Sequence, residues 1–250
     1  MKKCSQSVER IFNVIELVAS QQGGMGISEI SRNLEYPKST VYRIASSLVA
    51  KKYFQKDPTN QKYMLNYRFI AIASDYVSKL DIRTVASPYI NKLSRDLDCT
   101  VHIGIMRNQQ VVYIEKIKPY MCACVYSEIG KTNELYCSGL GKALLIGMDE
   151  KTYTSYLNSY KYIKYTKTTL NNDELDKEMK IARKTNIAID NAEHEEGVFC
   201  LATPIYNFNN DVIAAISIST SRKEILKEEK YKINLLECGK EISKIFGKTK

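Results

Sequence analysis

The 250-residue sequence predicts an α+β fold, with an N-terminal winged helix-turn-helix followed by a domain of β-hairpins flanked by helices. Three observations predict it. Three short amphipathic segments crowd into the first 51 residues and lead into a Pro/Asn hairpin signal. One further segment, 67–80, carries a single narrow apolar seam. Beyond residue 99, two-residue alternation appears, interrupted by helical stretches. The 44% hydrophobic and 26% charged residues exclude a disordered chain. No run approaches the ~18 apolar residues of a membrane span. The basic start, Met1-Lys2-Lys3, meets Glu9 and Arg10 before any apolar stretch, so no secretory signal is expected. Seven cysteines without scaffold spacing suggest reduced thiols and a cytoplasmic protein.

Val8, Ile11, Phe12, Ile15 and Val18 form one stripe and predict a first helix over 7–20, stopped by Gln21-Gln22-Gly23-Gly24. Ser28 stands where an N-cap is wanted for a second helix with Ile27, Ile30 and Leu34 inward. Pro37 suits the opening of a third helix, 38–51, whose inward positions are Val41, Ile44, Ala45 and Leu48. Its outward residues Lys38, Ser39, Thr40, Tyr42, Arg43 and Ser46 all donate hydrogen bonds. A recognition helix in a major groove needs that chemistry. Tyr53–Lys56 and Lys62–Leu65 flank the turn Asp57–Gln61 as a two-stranded wing, with Lys56 and Lys62 at its base, placed for phosphate or the minor groove. Residues 1–66 hold ten Lys/Arg against five Asp/Glu, which is +5 of the total +9. Such a basic end suits a polyanion. With Ser28, these outward residues form the candidate DNA surface.

The seam of the linker helix, Phe69, Ile72, Ala73, Tyr76 and Leu80, suits docking on its own domain or on a second subunit. The next helix turns Val85, Tyr89, Ile90, Leu93 and Leu97 inward, with Pro88 near its first turn. Strands follow at 101–106, 111–117, 122–126, 199–205 and 212–219, the last two joined by a turn at 207–211. Helices are expected at 139–148, 150–157, 172–185 and 223–246.

Ser217 and Ser219, two apart on one strand, face the same side. Cys200 lies on the preceding strand, and Asp190 and His194 in the polar loop before it. Ser138-Gly139-Leu140-Gly141 opens a helix whose free N–H groups favour an anion. Together these are placed to hold a small carboxylate, although strand serines and loop glycines also occur without any ligand. Gly141-Lys142 is not a phosphate loop, because Ala143 replaces the required Ser/Thr. Cys122-x-Cys124 has the wrong spacing for zinc, so neither metal nor cofactor is expected. No Gly-x-Ser-x-Gly elbow is present.

Taken in order, Ile27-Ser28-Glu29-Ile30, Pro37–Arg43, Lys62–Leu65, Gly139–Leu145, Asp190–Ile205 and Ala214–Ser219 make the chain resemble transcriptional regulators of the IclR family over nearly its whole length. The resemblance implies a winged helix-turn-helix at 1–66, a linker helix at 67–80 and a GAF-like α/β effector-binding domain at 81–250. It implies a homodimer or homotetramer on operator DNA, a repressor released by a small organic acid, and no membrane. The implied effector pocket comprises Gly139, Leu140, Asp190, Cys200, Ser217 and Ser219, with Cys122, Val125, Asn133 and Val198 as wall. Leu140 and Asn133 depart from the residues common at those positions. An enzyme cleaving small acids or esters with Cys200 or Ser217 and His194, and a purely architectural DNA-binding protein, are the alternatives.

Overall fold

The computed structural model describes residues 5–77, 79–119 and 128–248. The chain divides into two compact units, Met1–Leu80 and Asp81–Lys250.

The first unit contains α1 (Gln6–Ala19), α2 (Ile27–Leu34), α3 (Lys38–Ala50), the hairpin β1 (Phe54–Lys56) and β2 (Tyr63–Leu65), and α4 (Arg68–Val77). Its core joins Val14 and Val18 of α1 to Ile30, Val41, Ile44, Ala45, Phe54 and Tyr63. The expected α1 stripe is only half used. Val8, Ile11 and Phe12 are exposed, because the helix outreaches the small core beneath it. Ser28 is not the N-cap of α2. That position belongs to Gly26, whose N–H donates to Glu29 Oε2 at 2.7 Å, so the helix begins earlier and Ser28 lies exposed within its first turn. Pro37 caps α3, its carbonyl accepting from the N–H groups of Thr40 and Val41. The wing turn is held by Asp57 and Asn60, whose side chains accept from the N–H groups of Thr59 and Lys62. Met25 and Tyr63 exchange backbone hydrogen bonds, which ties the wing to the loop before α2. Phe69 of α4 packs edge-on against Tyr53, while Ile70, Ile72 and Tyr76 remain exposed.

The second unit has a six-stranded antiparallel sheet of order β5-β4-β3-β8-β7-β6. Its strands are β3 (Thr100–Arg107), β4 (Gln110–Ile117), β5 (Thr132–Glu134), β6 (Ala188–Asn191), β7 (Phe199–Tyr206) and β8 (Val212–Thr220). Its helices are α5 (Ile82–Leu97), α6 (Gly139–Leu145), α7 (Glu150–Ser159), α8 (Asn172–Thr185) and α9 (Glu229–Ile245). Pro88 stands in the middle of α5, not in its first turn, on the exposed side. The single closing helix expected from residue 223 is instead a 3₁₀ turn, Lys223–Leu226, followed by α9, and the helix opened by Gly139 stops at Leu145. The strand expected at 122–126 lies outside the described residues.

Alternation gives the sheet two unlike faces. Val101, Ile103, Leu201, Ile205, Ile216 and Ile218 pack with α5 and α9 in one apolar layer. The other face carries Ala202 and Ala215 beneath α6, and continues into polar residues.

Candidate functional site

Strand register builds the candidate pocket. Asp190 pairs with Cys200, Cys200 with Ser219, Ala202 with Ser217, and Ser217 with His102. Asp190, Cys200, Ser219, Ser217 and His102 therefore stand on neighbouring strands and on the same face. The start of α6 lies directly over them. A Cβ on Gly139 would stand 3.2 Å from Cys200 Cβ and 3.5 Å from Ala202 Cβ, and one on Gly141 would overlap Leu135 O at 2.3 Å. Glycine at 139 eases the approach of α6 to β7, and glycine at 141 lets the helix pass the backbone of Leu135. Ser138 caps α6 with its hydroxyl, which accepts from Gly141 N–H at 3.2 Å and so already satisfies one of the free donors.

These residues line a cavity of about 210 Å³. Asn133, Gly139, Leu140, Asp190, Val198, Cys200, Ser217 and Ser219 all line it, as does His194. Cys122 and Val125 lie outside the described residues. Asp190 is on strand β6 and not in a loop, because Ala188-Ile189-Asp190-Asn191 pairs with 199–202. His102, Tyr113, Lys131, Thr132 and Glu195 also line the cavity without having been singled out in the sequence. For His102 the alternation along β3 was an available signal, and for Glu195 its place beside His194; the others become neighbours through long-range pairing.

Behind the cavity lies a buried ion cluster. Lys142 of α6 is fully buried, and its Nζ donates at 2.6 Å to Glu193 Oε1 and at 2.6 Å to Glu178 Oε1. Glu193 is itself buried, and its Oε2 has no hydrogen-bond partner among the described residues. Its N–H donates to Asp190 Oδ1 at 2.9 Å. Burial pushes the Asp190 carboxyl up to about 6 and the Glu193 carboxyl up to about 7, with Lys142 opposing both shifts. Burial likewise keeps the Cys200 thiol protonated, well above its ordinary value, and its Sγ lies 3.0 Å from Ser219 Oγ. His102 is forced neutral, down to about 3, by burial and by the nearby charges of Lys116 and Lys118.

The loop carrying Ala192 and Glu193 is clamped by threonine hydroxyls. Thr166 and Thr168 donate to Ala192 O at 2.8 and 2.7 Å, and Thr169 donates to Glu193 O at 2.7 Å.

In the first unit, Lys38, Ser39, Tyr42 and Arg43 are exposed on α3, and Thr40 and Ser46 are half-buried. Among the described residues, Lys38, Arg43, Lys56 and Lys62 form no ion pair, and the Lys56 ammonium lies over the Tyr63 ring. Thr40 and Arg43 also border a groove with Arg10 of α1 and Lys51, two cations that the sequence reasoning did not include.

Two family profiles match the chain: "IclR helix-turn-helix domain" over residues 7–58 and "Bacterial transcriptional regulator IclR C-terminal" over 74–244. The chain belongs to the IclR family of bacterial transcriptional regulators. It is 32% identical over 245 residues to the Escherichia coli HTH-type transcriptional regulator XynR, covering 97% of each chain. To E. coli KdgR it is 30% identical, over 85% of this chain and 81% of that one. Among solved structures, Thermotoga maritima IclR superposes with a TM-score of 0.64 at 26% identity, covering 96% of this chain and 98% of the other. The Agobacterium tumefaciens repressor BlcR gives 0.80 at 20% identity with 98% coverage of both, a likeness of fold alone. The IclR-type helix-turn-helix thus lies on α1–α3, and the IclR C-terminal region contains the sheet and its cavity. Among the described residues, no helix is long and apolar enough to cross a membrane.

Proposed function

We propose that this IclR-family regulator is a cytoplasmic repressor that reads an operator with α3 and the wing and is controlled by a small carboxylate bound in the cavity of its second unit. Membership in the family gives DNA binding. Lys38, Arg43, Lys56 and Lys62 support placing that contact on α3 and the wing: among the described residues they form no ion pair, and a cation with no internal carboxylate is available to phosphate. Repression is the role of E. coli AllR, 28% identical over 87% of this chain, and of BlcR.

The cavity supports the second half of the reading. Ser217 and Ser219 supply hydroxyl donors, Leu140 and Val198 supply apolar wall, and the space of about 210 Å³ fits a small metabolite. Boundaries at 66 and 80 assign α1–α3 and the wing to DNA, α4 to the link, and the remainder to the effector. The exposed apolar residues Val8, Ile11 and Phe12 of α1 and Ile70, Ile72 and Tyr76 of α4 suit pairing with a second copy. A dimer would present two copies of α3 to a paired half-site.

The hydrolytic alternative is the weaker one. Burial keeps the Cys200 thiol protonated, so it is not a ready nucleophile. His194 stacks near Tyr165, and among the described residues it makes no hydrogen bond to Cys200 or Ser217. The deciding experiment is a gel-shift titration of the full chain on intergenic DNA beside its own gene, repeated with small carboxylic acids. Retardation released by one acid is expected; indifference to every fragment at low salt overturns the reading.

A further inference from the structure

Counting the charges around Asp190 leads beyond effector binding itself. Lys142 of α6 is buried and faces three carboxylates: Glu193 after β6, Glu178 of α8 and Asp190 of β6. Its ammonium hydrogen bonds to Glu193 and Glu178, not to the cavity. The other groups facing Asp190 are neutral. They are the Cys200 thiol of β7, the Cys137 thiol before α6, the Tyr113 hydroxyl of β4 and the His102 ring of β3. At the cavity wall, Glu195 adds a carboxylate, and burial lowers the His194 imidazole below its ordinary value against the pull of Glu195 and Glu134. Lys131 is the cation that lines the cavity among the described residues. It is largely exposed and lies 3.0 Å from Glu128. Lys116 of β4, paired with His102, and the exposed Lys118 also bring positive charge to the His102 wall. Among the described buried groups, however, the carboxylates Asp190 and Glu193 outnumber the one ammonium, Lys142, and an anion entering beside Asp190 adds to that excess.

We propose that a small carboxylate enters this cavity together with a proton taken up at Asp190, so that affinity for the acid falls as pH rises. The proposal rests on the reading of the cavity as an acid site. A proton from solvent bonds to an Asp190 carboxylate oxygen, and no bond in the ligand changes. The protonated group then donates to the ligand carboxylate, an O–H···O⁻ bond in place of a repulsion. Glu193 also accepts a proton readily, but it does not line the cavity, so a proton held there is not placed to be donated to the ligand. Below the free carboxyl's value of about 6, Asp190 already holds its proton, so affinity is at its plateau there. Above it each pH unit costs up to about tenfold in affinity, until the value in the complex is reached.

The test is titration calorimetry on the full chain with glycolate, glycerate, gluconate and benzoate as probes, at pH 5.5 and 7.5. At pH 7.5 the heat is measured in phosphate and in Tris, whose different ionisation heats report the number of protons exchanged. Uptake approaching one proton, and roughly tenfold or greater weakening between the two pH values, are expected. In Asp190→Asn, both are expected to disappear. Binding with no proton exchange in the unaltered protein overturns the coupling alone, and uptake that persists in Asp190→Asn overturns its assignment to Asp190. If none of the four acids binds at either pH, the acid-site reading fails and the proposal fails with it.

Discussion

Replacing Lys142 by methionine removes the buried ammonium while keeping most of its volume. Among the described residues, Glu193 then has no cationic partner, and its second oxygen is already unpartnered. Glu178 is less affected, because about a quarter of its side chain remains exposed and can be hydrated. Stripping one member from a buried ion pair typically costs ~3–5 kcal/mol. For a unit the size of Asp81–Lys250, each kcal/mol lowers Tm by about 2–4 °C, so a drop on the order of 10–15 °C is expected at pH 7.5. The sign with pH follows from the carboxyls. Burial raises Glu193 and Asp190 above their unfolded values, so the folded state binds more protons across roughly pH 4–7 and gains relative stability as pH falls. Without Lys142 both carboxyls rise further, so the deficit of Lys142→Met should shrink by half or more at pH 5.5. Adding Glu193→Gln should recover much of it at pH 7.5. Thermal unfolding of the three proteins at four pH values measures all of this. A loss under about 3 °C, or one that is the same at every pH, would refute the reasoning.

Three further outcomes are expected. Arg43→Ala should weaken operator binding by ~1–3 kcal/mol if it contacts a base, with Tm unchanged; equal affinity in a gel-shift titration would remove Arg43 from the reading surface. Ser217→Ala combined with Ser219→Ala should abolish the acid response and leave DNA affinity intact, which calorimetry and gel shift together can check; undiminished acid binding would remove the two hydroxyls from the site. Gly141→Ala should destabilise the second unit by ~2 kcal/mol or more, because its Cβ would fall 2.3 Å from Leu135 O, and a Tm within 2 °C of the parent would contradict that packing.

The helix-turn-helix was legible because Val18, Ile30, Val41 and Ile44 keep helical spacing within their helices and the Pro/Asn turn is local chemistry, although the fully buried Val14 lay outside the expected stripe of α1. Strands β7 and β8 were legible through alternation sustained over eight and nine residues. Strands β5 and β6 were not, since Thr-Asn-Glu and Ala-Ile-Asp-Asn are too short and too polar to carry a period. That is why Asp190 read as a loop residue. The first half of α1 misled in the opposite direction: Val8, Ile11 and Phe12 have core spacing, but no element of their own unit covers them. Around the cavity, most residues within a motif could be found, Glu195 of the 190–205 motif being passed over, while Tyr113 and Lys131 arrive by register and folding. The pairing of Lys142 with Glu193, 51 residues apart, leaves no local mark at all.

The two-faced sheet has a consequence for how such a protein diversifies. Along β8, Ser217 and Ser219 look into the cavity while Ile216 and Ile218 look into the apolar layer. On the proposed reading of the cavity, ligand preference and scaffold integrity are written on alternate letters of the same strand. Mutation can revise the first set and leave the second untouched, so one lineage can acquire new inducers without re-solving its folding problem.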